Sequence, residues 1–149
     1  MKPSITTTFL GGAWLSFGFF VAINGIILVA TALLLPHINL NIELSQLPAP
    51  MDLLVKDAFT IGLAQFLTGV ALAMGGALLK RKKRGGKLML QTLSVALMIW
   101  FLFLGAYIHL ASQRSQEVLF PPLLPICFGV ITMGVSLWAL NRLRITGDE

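Results

Sequence analysis

Four long apolar stretches, parted by short polar segments, set the pattern of this 149-residue chain. The first covers 9–35 without an ionisable side chain. Its 27 positions, at a rise of about 1.5 Å each, exceed the roughly 30 Å of a bilayer's hydrocarbon core. The others cover 58–79, 88–110 and 119–140, each 22 or 23 residues and long enough to cross. Ala30 and Ala32, with Lys2 ahead of the first stretch, imitate a secretory signal. Such a signal's apolar part runs to only about 7–15 residues, so a retained span is expected.

Between the first two stretches the period changes. Ile38, Leu40, Ile42 and Leu44 alternate with Asn39, Asn41, Glu43 and Ser45, which predicts an extended amphipathic strand. Its backbone needs a partner, either the helix ends over which it drapes or a strand of another chain. Residues 52–57 predict a short turn leading into the second span. Pro121, Pro122 and Pro125 suit the first turn of the fourth, where a missing N–H costs least.

Composition and charge turn this pattern into a topology. Apolar residues make up 56% of the chain and charged ones 11%, and the mean hydropathy of +0.86 lies well above the soluble range. With the N-terminus inside, Lys2, the run at 80–87, Arg142 and Arg144 place nine of the eleven basic residues on the inner side, against Lys56 and Arg114 outside. One span more or fewer would put the two basic clusters on opposite faces, against the positive-inside tendency. The expected fold is all-α: a single polytopic membrane domain of four transmembrane helices, up-down-up-down, with both termini cytoplasmic. Its connections are an outer loop at 36–57, an inner basic loop at 80–87, an outer loop at 111–118 and an inner tail at 141–149.

Glycine spacing predicts how the helices meet. Gly11, Gly18 and Gly25 recur every seven residues in the first span, and Gly62, Gly69 and Gly76 in the second; Gly129 and Ser136 keep that interval in the fourth. A seven-residue repeat follows one side of a helix, and in lipid, close backbone approach over small residues is a main source of packing energy. The first two spans are therefore expected to form a tight antiparallel hairpin, with the fourth against one of them.

Candidate chemistry is sparse. No Asp, Glu, Lys or Arg lies within a span, which argues against proton-coupled transport, cation-drug export and voltage sensing, since each needs an ionisable group at membrane depth. Cys127 is the sole cysteine, so an internal disulfide and CxxC redox chemistry are excluded. Asn24, Gln65, Thr68, Ser94, Thr132 and Ser136 are the deep polar side chains, and Asn24 and Gln65 sit at depths that permit an amide hydrogen bond across the first two helices. His37 and His109 end the first and third spans and share the outer interface, where two imidazoles are candidate haem or metal ligands, or ordinary interfacial residues. Lys80, Arg81, Lys82, Lys83, Arg84 and Lys87 form the densest charge; Arg81 stands where a P-loop needs its first glycine, so the run reads as a contact for acidic lipid or an acidic partner surface.

These features imply a non-enzymatic accessory, structural or assembly subunit that packs against a larger membrane complex. A homo-oligomeric channel or carrier for a small neutral solute, and a haem- or quinone-linked electron-transfer subunit using the two histidines, are the alternatives. The expected partners are a bilayer with an anionic inner leaflet and another membrane protein or a second copy, with no nucleic acid and no cofactor. The short inner basic turn favours a bacterial inner membrane.

Overall fold

The computed structural model describes residues 5–34, 37, 47–114 and 117–143. Its helices in chain order are α1 (Ile5–Leu34), α2 (Met51–Lys56), α3 (Ala58–Lys80), α4 (Arg84–Gln113) and α5 (Leu123–Arg142). All but the six-residue α2 are long and apolar enough to cross a membrane. The strand expected at 38–45 lies outside the described residues, as do Lys2 and Arg144.

In hydrocarbon every backbone N–H and C=O must be satisfied within the segment, which makes a continuous apolar run helical whatever its local propensities. The helices do not stop where the apolar runs stop. The third stretch, 88–110, belongs to a helix of 30 residues that continues through Gly85 and Lys87 at one end and Ser112 and Gln113 at the other, because polar residues at an interface keep their helical bonds. Residues 80–87 accordingly contain only a three-residue break at 81–83. The fourth helix starts later than the apolar run at 119. Ala49 N donates to Glu117 O and Leu119 N donates to Ala49 O, both at 2.8 Å, and this bridge holds 118–119 extended. Pro121 and Pro122 therefore precede α5, and Pro125 lies buried in its first turn. Residues 51–56, ahead of the second span, coil into α2, and Ile61 N donating to Asp57 O carries the chain onward into α3.

Three helix pairs pack closely: α1 with α3, α3 with α4, and α4 with α5. Within the first pair Gly11 faces Gly76, Gly18 faces Gly69 and Gly25 faces Gly62, so numbers rise along one helix as they fall along the other. The fourth span's backbone rests on the third, not on the first or second as the Gly129 and Ser136 interval suggested. Gly129 admits the Phe101 side chain of α4, and Gly105 of α4 admits Ile126 of α5; here each glycine is a hole for a large side chain and not a track for another backbone. Phe101 also meets Phe128 edge-to-face at 5.6 Å.

The core is a small cluster in which Trp14, Leu72, Leu79, Leu90, Met133 and Leu140 bring all four long helices together. Only 17–28% of the residues in the most apolar window of each helix are buried within the molecule. Phe19, Phe20, Ile23, Ile99, Ile131 and Trp138 are among the many large apolar side chains turned outward. An apolar exterior around so thin a core is stable only against hydrocarbon, and the chain is a helical membrane protein on that ground.

Candidate functional site

The α1–α3 seam is built backbone to backbone. A Cβ at Gly62 would stand 2.8 Å from Gly25 O and Val29 N; one at Gly11 would stand 2.8 Å from Gly76 O and 2.7 Å from Lys80 Cγ. At Gly18 and Gly69 it would collide with the Ala73 and Ala22 backbones. All six glycines of the two stripes lie in this seam, which fixes α1 against α3 with no space for a ligand between them. Gly75 and Gly86 repeat the device between α3 and α4: a Cβ on Gly86 would lie 2.6 Å from Leu79 N and 2.8 Å from Gly75 O. Neither belongs to a seven-residue series, so spacing alone did not single them out.

The deep polar side chains do not converge. Asn24 Nδ2 donates to Phe20 O of its own helix at 2.9 Å, so its amide is not spent on Gln65. The carbonyl oxygen of Gln65 is buried and has no hydrogen-bond partner among the described residues, as is the hydroxyl of Ser94. Thr68 is half-buried on α3. Thr132 and Ser136 lie elsewhere, on the wall of an open groove of about 160 Å³ between α5 and α1. Leu10, Ala13, Trp14 and Phe17 form the opposite wall, and the buried Met133 closes it from within. The α1 and α5 backbones stay apart here, so this seam is looser than the three glycine-assisted ones.

At the α3–α4 turn, Lys83 N donates to Leu78 O and Lys82 N to Leu79 O, at 3.0 and 2.9 Å. This is the paired closure that ends a helix through a left-handed residue, and Lys82 takes that place with φ of 58°. Glycine usually stands there because a side chain costs energy in that conformation; this turn carries a cation instead. Lys80, Arg81, Lys83 and Arg84 are exposed around it. Lys87 Nζ reaches across to donate to Leu143 O at 2.9 Å, and Gln91 donates to Asn141 Oδ1, which ties the start of α4 to the end of α5. Arg142 lies over the Trp138 ring, 5.3 Å from its centre.

At the opposite end His37 and His109 are both exposed. The amide nitrogen of Gln113 lies 3.1 Å from His109 Nε2; with the amide donating, that ring nitrogen's lone pair is taken. Among the described residues no three His, Cys, Asp or Glu side chains gather in a metal-binding group. The contact that organises this end is one the pattern of the sequence did not reveal: Tyr107 OH donates to Asp52 Oδ2, joining α2 to α4 beside the Ala49–Val118 bridge. Tyr107 is the sole tyrosine of the chain, but nothing in its spacing points to a partner 55 residues away.

Fold and site together define a compact helical membrane bundle with apolar faces and one cationic end. Comparison with protein-family models, with curated proteins and with solved structures gave no match.

Proposed function

We propose that this chain is a non-enzymatic integral membrane protein of the bacterial inner membrane, an up-down-up-down bundle with both termini cytoplasmic. It serves as an accessory or assembly subunit that packs against a larger membrane complex. The observation that carries the reading is the filling of the bundle axis: Leu72, Leu79, Leu90 and Met133 are almost wholly buried there, while Asn24 bonds to its own helix. Among the described residues, a single copy so built shows no polar route along that axis. What it does offer is surface, a broad apolar exterior held rigid by glycine seams, and surfaces of that kind serve contact. In this scheme the cations of the α3–α4 turn hold the second connection at the anionic inner leaflet, at about 1 kcal/mol each.

The hydroxyls of Thr132 and Ser136 on the α1–α5 groove favour one competing role, a passage for a small neutral solute formed where copies meet along that seam. Extraction from native membranes in mild detergent, followed by mass spectrometry, separates the readings. A stoichiometric membrane partner is the expected result. A discrete homo-oligomer that conducts solute in liposomes would replace the accessory reading with the passage, and a Soret band in protein purified without a histidine tag would replace it with haem ligation by His37 and His109.

A further inference from the structure

The loose α1–α5 seam and the cationic end of the molecule lie next to each other. Leu10, at one end of the groove, adjoins Gly11, against which Lys80 lays its stem. On the other wall Ser136 lies within two turns of the C-terminal end of α5. Lys87 and Arg142 bring further charge to the end of α5. Among the described residues every charged side chain at this end is a cation; the described acids, Asp52, Asp57 and Glu117, belong to the other end. The groove is apolar except for two hydroxyls. Its volume of about 160 Å³ lies along 10–17 of α1, about 10 Å of helix rise; a helix of about 10–12 Å diameter over that length needs several times that room, and a hydrocarbon chain does not.

We infer that the seam binds one anionic phospholipid, with an acyl chain in the groove and its phosphate among the cations of the α3–α4 turn. Apolar burial selects a lipid over a free anion, and the charge selects an anionic headgroup over a zwitterionic one. The site does not depend on the accessory reading and stands or falls separately from it.

The test is native mass spectrometry and thermal melting of the detergent-solubilised full chain. The probes are phosphatidylglycerol, phosphatidylcholine of the same acyl chains, and inorganic phosphate. Phosphatidylglycerol is expected to give a saturable single adduct and a higher melting temperature, phosphatidylcholine to bind about tenfold more weakly, and phosphate alone to have no effect. Ala13 is exposed at the slot, so Ala13→Phe fills it without disturbing the core, and Ser136→Leu fills it from the opposite wall; each is expected to weaken the adduct about tenfold. Exchanging Lys82, Lys83 and Arg84 for Gln is expected to abolish the preference for phosphatidylglycerol. Wild-type binding by both slot-filling variants, equal affinity for the two lipids, or displacement of the lipid by phosphate would overturn the site.

Discussion

A methyl group added at Gly69 would run into the Ala22 backbone, whereas one added at Gly12 or Gly134 meets nothing within 4 Å. The same change, glycine to alanine, should therefore have opposite signs at these positions. Gly69→Ala forces two backbones apart and is expected to cost about 1–3 kcal/mol; Gly12→Ala and Gly134→Ala gain up to about 1 kcal/mol of helix propensity with no clash. Melting of monodisperse protein in detergent reads the difference, and equal melting of Gly69→Ala and Gly12→Ala would show that the seam does not hold α1 to α3. The sequence made this seam legible because a seven-residue interval puts Gly11, Gly18 and Gly25 on one helix side, and Gly62, Gly69 and Gly76 on another of the same length. It made Asn24 misleading. Depth alone allowed an amide bond to Gln65, but a carbonyl one turn back on the same helix is always within reach, and the nearer acceptor prevails.

At the scale of elements, periodicity identifies helices far better than it identifies neighbours. The four long helices follow from apolar runs that leave their backbones no other partner, yet nothing in Gly129 or Ser136 says that α5 packs on α4. That contact depends on Phe101 and Ile126 filling the spaces left by Gly129 and Gly105, a match of shapes that sequence spacing does not encode. The end opposite the basic turn was equally hidden, because its bridge and its tyrosine contact join residues distant in the chain. Tyr107 OH donates to a carboxylate in a half-buried setting, so Tyr107→Phe removes that hydrogen bond at an expected cost of about 1–3 kcal/mol. Because α2 and the bridge are adjacent, faster hydrogen exchange at the Ala49 and Leu119 amides should accompany the lower melting temperature. Unchanged exchange in Tyr107→Phe would mean that the bridge holds without the tyrosine.

For the whole molecule, the separation of charge makes the proposed orientation testable with one reagent. In the proposed scheme four crossings bring Lys80, Arg81, Lys82, Lys83, Arg84, Lys87 and Arg142 to one side of the bilayer and leave Lys56 and Arg114 on the other, with each cation near an anionic surface favoured by about 1 kcal/mol. The charge pattern was legible because charge cannot be hidden in hydrocarbon; a partner or a solute leaves no comparable trace in the pattern of apolar positions. Gly85 is exposed with open space around its Cβ position, and Glu117 is exposed beyond α4, so both accept cysteine. Cys127 is exposed on α5 and must first be exchanged for Ser. In intact bacterial cells a membrane-impermeant maleimide is expected to label Glu117→Cys at once and Gly85→Cys only after lysis. Labelling of both in intact cells, or of Gly85→Cys alone, would place the basic turn outside and remove the leaflet charge on which the proposed orientation draws.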